Sequence, residues 1–193
     1  MTETTSTQKL VATPGQTIGP FYGFALPYEG GEKLVDRTHP GAIRLHGTVY
    51  DGEGVPIPDS MLEIWQADEQ GNISSEPGSL FRDGYTFTGW GRQAVDGVGA
   101  FNFTTVNPCS IDGKAPFISL VVFARGLLNK LHTRIYLPDD EALLAADPLL
   151  QSLPEERRRT LIATREESGD LRFDVRLQGA NETVFLTYPN TPK

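Results

Sequence analysis

Residue types able to carry acid–base or metal chemistry are sparse in this chain. It holds three histidines, His39, His46 and His132, and one cysteine, Cys109. No two of the histidines are spaced to put both imidazoles on one strand face, so they do not form a ligand pair. His39 stands before Pro40 in a polar stretch and reads as solvated. His46 precedes Gly47 in a strand-like run and reads as a structural histidine. Cys109 follows Pro108 with no base beside it, so no reactivity is assigned to it. The sharper candidate is Arg134. If Leu131–Leu137 is a strand, His132, Arg134 and Tyr136 share one face, and the guanidinium emerges between an imidazole and a phenol. Arginine presents a planar fork suited to a carboxylate, and the neighbourhood is apolar. The plain alternative is a surface arginine paired with an acid. With a formal charge of −8 the protein offers no long-range attraction to an anion, so an anionic substrate needs a local cation of this kind.

The elements that must position these groups are short strands. Ile43–Tyr50 and Met61–Trp65 flank a Gly/Pro-rich connection, Asp51–Asp59, where Asp51-Gly52 favours a turn and Pro56 and Pro58 remove ladder donors. The pattern predicts a β-hairpin or a Greek-key corner. Met61, Glu63 and Trp65 share one face and Leu62, Ile64 and Gln66 the other, so Glu63 needs a polar partner or an open edge. Thr86–Ala94 and Ala100–Thr105 read as a hairpin across Asp96-Gly97-Val98-Gly99. Phe117–Ala124 is apolar on both faces and reads as a central strand. Asp139–Leu150 opens with acids and continues with strong helix formers, and Pro154-Glu155-Glu156 repeats the start signal, so one or two short helices are expected there. Thr160–Arg165 and Leu171–Leu177 read as a further hairpin, and Thr183–Leu186 as a last strand. Trp65 and Trp90 read as large fillers, the Glu155–Arg159 charge run as a solvated helix face, and Arg125, Arg172 and Arg176 as ion-pairing residues on a sheet face.

The sum is a mainly β protein, an antiparallel β-sandwich with one or two short helices in a late connection. A length of 193 residues suits one domain, and 20 Gly with 14 Pro imply many turns. Residues 43–193 form the sandwich. Residues 1–42 form an N-terminal arm and linker, in which Thr13–Tyr28 is apolar, rich in Gly and aromatic residues, and without period. Such an arm either lies over its own core or docks on a partner chain, and docking is expected. The acidic balance disfavours nucleic acid. The opening MTETTSTQKL has no apolar core of a signal peptide, no run approaches a membrane span, and a lone Cys suits a reducing compartment, so a cytoplasmic location is expected.

Several blocks of the chain carry a resemblance. VYDGEGVPIPDSMLEIWQADEQGN from Val49, Gly89-Trp90-Gly91-Arg92, Phe123-Ala124-Arg125-Gly126, Leu131–Tyr136 (LHTRIY), Arg172–Gly179 (RFDVRLQG) and the early Thr13–Tyr22 (TPGQTIGPFY) occur in order over most of the chain. Together they resemble the intradiol ring-cleavage dioxygenases, iron(III) enzymes that open catechols between the two hydroxyls. The later blocks are closer to the alpha chain of the two-chain members than to their iron-bearing beta chain.

That resemblance implies a ligand set of two Tyr and a His-x-His pair, because iron(III) favours anionic oxygen and a two-residue repeat sets both imidazoles on one strand face. The matching positions here are Ile73 and Ile111 for the tyrosines and Phe117 and Ser119 for the histidines, and none of them suits the ion. The expectation is therefore an alpha chain that binds no iron and is inactive alone, with Fe(III) in a homologous beta chain. The resemblance further implies αβ pairs that multimerise, and a shared cavity accepting a small aromatic substrate and O2. Thr17, Gly19, Pro20 and Arg134 would contribute to that cavity. The implied reaction opens 3,4-dihydroxybenzoate to 3-carboxy-cis,cis-muconate, a step of aromatic catabolism. Two rival readings are an autonomous Fe(III) catechol dioxygenase and a transthyretin-like sandwich used only for binding.

Overall fold

In the computed structural model, residues 19, 21–75, 83 and 85–188 are described. Among these residues, nine strands and four short helices follow one another as α1 (Tyr22–Ala25), β1 (Ala42–Tyr50), β2 (Met61–Trp65), β3 (Trp90–Ala94), β4 (Ala100–Val106), β5 (Phe117–Phe123), β6 (Leu131–Tyr136), α2 (Glu141–Ala146), α3 (Pro148–Gln151), α4 (Glu155–Arg158), β7 (Thr164–Arg165), β8 (Leu171–Arg172) and β9 (Val175–Arg176). They build two facing sheets, ordered β4-β1-β8-β7, with β9 also on β1, and β3-β2-β5-β6.

Alternation drives the layering. Leu45 and Val49 of β1 and Phe101 and Phe103 of β4 point inward from the first sheet, and Leu62, Ile64, Ile118, Leu120 and Ile135 meet them from the second. Each such side chain, fully removed from water, contributes about 1.5–3 kcal/mol of hydrophobic stabilisation. The second sheet turns its other face outward. Glu63 on that face is satisfied by Arg92 of β3, directly opposite in register, with Nη2 2.6 Å and Nε 2.8 Å from the same carboxylate oxygen. The polar partner that Glu63 demands is therefore a cross-strand arginine.

Several expectations are corrected. The connection from β1 to β2 crosses between sheets, so it is the corner and not the hairpin. The same holds for β3 and β4, expected as a hairpin: each pairs in a different sheet. The Asp96-Gly97-Val98-Gly99 turn forms as expected, with Asp96 Oδ1 accepting the N–H groups of Val98 and Ala100, but Val95 N–H bonds to Ser60 C=O instead of to β4. Leu171–Leu177 is not one strand. Phe173 C=O lies against Gly47, where a Cβ would come within 1.9 Å, and Asp174 Oδ1 takes the N–H of Thr48, so a side chain replaces one ladder bond and splits the run. Its two pieces, β8 and β9, run parallel to β1, which makes the first sheet mixed. Thr160–Arg165 contributes only β7, because residues 159–161 turn as a 3-10 helix. Thr183–Leu186 forms no regular strand. Thr183 N–H bonds to Arg176 C=O and Leu186 N–H to His132 C=O, so the segment is shared between the two sheets. The late connection holds three short helices and the 3-10 turn, one more helix than the upper expectation.

The described part of the arm rests on its own domain. Tyr22 is buried and donates from its hydroxyl to Asp59 C=O at 3.0 Å. Tyr28 stacks on Trp90, and Leu26 C=O accepts from Arg92 Nη1. Phe21 and Phe24 point away and are 73% and 85% exposed.

Candidate functional site

The outward face of the second sheet carries the site. Register places Trp65 of β2, Ser119 of β5 and Arg134 of β6 in one row. Phe117 lies two residues before Ser119 on the same face, next to Tyr136 in register. The Arg134 guanidinium lies 4.1 Å from the Phe117 ring centroid, a cation–π contact. Its Nη1 donates to the Tyr136 hydroxyl at 3.1 Å, and that hydroxyl donates to Asp147 Oδ1 at 3.0 Å. Among the described residues no carboxylate forms a salt bridge with Arg134.

Asp147 is fixed by local sequence. Followed by Pro148, it caps the N-terminus of α3, and Oδ1 accepts from Leu149 N–H and Leu150 N–H at 3.0 and 3.2 Å. The cap packs α3 over Tyr136, which is wholly buried with Ala115, Leu150 and Leu161 around it. Burial pushes the Tyr136 phenol up to about 12; Arg134 opposes the shift and the Asp147 charge adds to it. Tyr136 is therefore a neutral bridge between a cation and an anion. His132, the third member of that face, sits edge-on to Tyr188 at 5.5 Å, and burial lowers its pKa, so it is neutral at pH 7. His46 lies elsewhere, paired with Glu166 at 3.0 Å, as suits a structural role.

Two loops complete the walls. Asp68 Oδ1 accepts from Gln70 N–H and Asn72 N–H, and Asp68 C=O accepts from Cys109 N–H, tying residues 68–73 to the 107–111 turn. Gly71, at φ +82°, allows the close approach, since a Cβ there would sit 2.7 Å from Ser110 C=O. This brings Ile73 and Ile111 to one rim. The result is a cavity of about 460 Å³ whose lining includes Trp65, Ile73, Ile111, Lys114, Phe117 and Arg134. Gln66, also in the lining, is anchored by Val106 C=O and the Thr105 hydroxyl.

Of the residues singled out from sequence, Ile73, Ile111, Phe117 and Arg134 thus meet at one cavity, and Ser119 stands in the adjoining row. Gly19 adopts φ +69°, a conformation suited to glycine, and is not in the lining. Thr17 and Pro20 lie outside the described residues. Sequence reasoning missed Asp147 and the lining roles of Lys114, Cys109 and Trp65. The Asp-Pro step is a helix-start signal that pointed to Asp147.

This donor set does not fit a ferric ion. Isoleucine and phenylalanine offer no lone pair, Arg134 and Lys114 are cations, and Asp147, the one carboxylate in the lining, already accepts three hydrogen bonds at Oδ1. Among the described residues, no cluster of three His, Cys, Asp or Glu side chains is placed to hold a metal.

The chain belongs to the intradiol ring-cleavage dioxygenase family: residues 18–179 match the dioxygenase family model. It is 37% identical to the protocatechuate 3,4-dioxygenase alpha chain of Burkholderia cepacia, covering 92% of this chain and 98% of that one. The alpha chain of the Pseudomonas putida enzyme is also 37% identical, over 93% and 98% of the two chains. The beta chain from Burkholderia cepacia is 31% identical over 80% of this chain and 70% of its own length. In fold, the chain is similar to the dioxygenase domain of a Streptomyces dioxygenase–carbohydrate-binding fusion, with a TM-score of 0.54, 24% identity, and 87% and 99% coverage. No helix among the described residues is long and apolar enough to cross a membrane.

Proposed function

We propose that this chain is the alpha subunit of a protocatechuate 3,4-dioxygenase and performs no chemistry alone. A homologous beta chain holds the ferric ion, and the αβ pair inserts both atoms of O2 into 3,4-dihydroxybenzoate to give 3-carboxy-cis,cis-muconate. The observation that carries this reading is the lining of its own cavity, where Ile73, Ile111 and Phe117 occupy three of the four positions that the resemblance assigns to metal-binding side chains, with Ser119 at the fourth beside it. Paired subunits also account for the exposed Phe21 and Phe24 on an arm otherwise held to its own sheet. A cytoplasmic location accords with the lone, exposed Cys109.

Within the complex, Thr17, Gly19, Pro20 and Arg134 contribute to the shared substrate cavity. Arg134 is the best prepared of them. Phe117 and Tyr136 hold its guanidinium, and no acid of the described residues consumes its charge, so it offers a fixed fork to an anionic group.

The test is reconstitution. The purified chain is expected to carry no iron and no activity, and mixing with an iron-bearing beta chain is expected to give turnover. Arg134→Ala should then raise KM or lower kcat about tenfold or more with iron content unchanged. Stoichiometric iron with the red colour of ferric tyrosinate in the chain alone would overturn the reading. Unchanged kinetics in the variant would overturn the role of Arg134.

A further inference from the structure

We propose that the outward face of the first sheet carries a binding site for a diphosphate group, on the side of the sandwich away from the cavity of Arg134. Arg172 of β8 and Arg176 of β9 stand on that face, beside His46 and Tyr50 of β1 in register. The turn that follows α4 brings Arg159 over against them. All three arginines line one cavity of about 530 Å³, within the range of roughly 300–1,000 Å³ that small-molecule sites occupy. Its lining has no residue in common with that of the Arg134 cavity.

Each guanidinium is held by a contact that leaves donors over. Arg176 lies 4.7 Å from the Tyr50 ring centroid and forms no salt bridge among the described residues, so its charge is uncompensated. Arg172 Nη2 donates to Asp174 Oδ2 at 3.0 Å, and Asp174 Oδ1 accepts from Thr48 N–H, which pins that pair to the sheet. Arg159 pairs with Glu155 one helical turn back, outside the lining. A guanidinium has five N–H donors, so Arg159 and Arg172 keep others for a ligand. Thr183 also lines the cavity; its hydroxyl oxygen accepts from Arg176 N–H and its hydrogen remains to be donated.

Three cations thus face two carboxylates, Asp174 and Glu156, an excess of positive charge inside a protein of net charge −8. Geometry selects the ligand. A planar carboxylate engages one arginine fork in one plane. Here the donors come from a helical turn and from two strand segments. The partners of Arg172 and Arg176 on β1, His46 and Tyr50, are separated by about 13 Å at roughly 3.3 Å per residue. Two linked tetrahedral groups present oxygens in several directions across such a reach, whereas a single one meets fewer of the three arginines.

The probe is inorganic pyrophosphate, titrated by calorimetry without divalent cations into the purified full-length chain and into the reconstituted αβ complex. The readout needs neither iron nor turnover, so its failure leaves the subunit reading untouched. One saturable site per copy of this chain is expected in both, weakening as salt is raised, with orthophosphate bound about tenfold more weakly. Arg176→Gln should weaken pyrophosphate about tenfold. Glu156→Gln, which removes a carboxylate from the lining, should strengthen it about threefold. Arg125→Gln removes an exposed positive charge outside the cavity and should leave the affinity within about twofold. Adenosine diphosphate is the second probe: tighter binding than pyrophosphate identifies an organic diphosphate as the ligand, and weaker binding the free anion. No saturable binding, full binding in Arg176→Gln, an equal loss in Arg125→Gln, or tighter binding of citrate than of pyrophosphate would each overturn the proposal. Binding confined to the isolated chain would do the same, by showing that this face is covered in the complex.

Discussion

Replacing Tyr136 by Phe removes a single oxygen that joins Arg134 to Asp147, and its effect can be worked from the contacts. That hydroxyl accepts from a guanidinium at 3.1 Å and donates to a carboxylate at 3.0 Å, at a fully buried position. A hydrogen bond to a charged group contributes about 1.5–3 kcal/mol net. Asp147 keeps its two backbone donors, so the loss is set near the value of one such bond, about 2 kcal/mol. For a domain of this size that corresponds to a fall in Tm of about 4–8 °C. The alkaline limb gives an independent signature. The folded phenol is raised to about 12, above the ordinary value near 10, so the unfolded chain ionises first. Stability is intact below about pH 10 and declines as pH rises toward 12, by on the order of 2–3 kcal/mol for this group. Tyr22, also raised to about 12, chiefly by burial and next by the Asp59 charge, contributes a similar decline. Tyr136→Phe should therefore lower the urea midpoint at pH 8 and remove about half of the alkaline loss. A change below about 0.5 kcal/mol at pH 8 would refute the bridge as a stabilising contact, and an alkaline slope equal to that of the parent would refute the buried Tyr136 phenol as a source of the alkaline loss.

Two further outcomes follow from the same contacts. Arg92→Met leaves Glu63 unpaired on a half-covered sheet face and should cost about 3 kcal/mol in urea unfolding, of which adding Glu63→Met should recover the greater part. Combined Phe21→Ser and Phe24→Ser should leave the stability of the isolated chain within about 0.5 kcal/mol, since both rings are exposed. The same double variant should weaken capture by an iron-bearing beta chain about tenfold or more, measured by surface plasmon resonance; equal capture would remove the arm from the interface.

What sequence disclosed and what it withheld have different physical roots. Alternation located β1, β2 and β6 within about a residue or two, because a half-buried strand writes its inward face every second position, and a continuous apolar run located β5. It also set His132, Arg134 and Tyr136 on one face. Alternation carries no label for the sheet a strand joins, so a turn as regular as Asp96–Gly99 read as a hairpin although it joins two sheets. The break between β8 and β9 depends on Asp174 reaching Thr48, 126 positions away. The cavity was half legible. Arg134 emerged from strand periodicity and Ile73, Ile111 and Phe117 from the family resemblance, whereas Lys114, Cys109 and Asp147 reach the lining through loop and cap geometry set by tertiary packing.

The mixed first sheet has a consequence for how the polypeptide acquires its structure. β1 can pair with β4 early, but its other edge waits for residues 171–176, delivered from the far end of the chain. Loops of that length close slowly, and a parallel partner cannot arrive through a tight turn. During synthesis the Leu45–Tyr50 edge therefore stays open until nearly the whole chain has left the ribosome, and that exposed ladder is where premature self-association should begin.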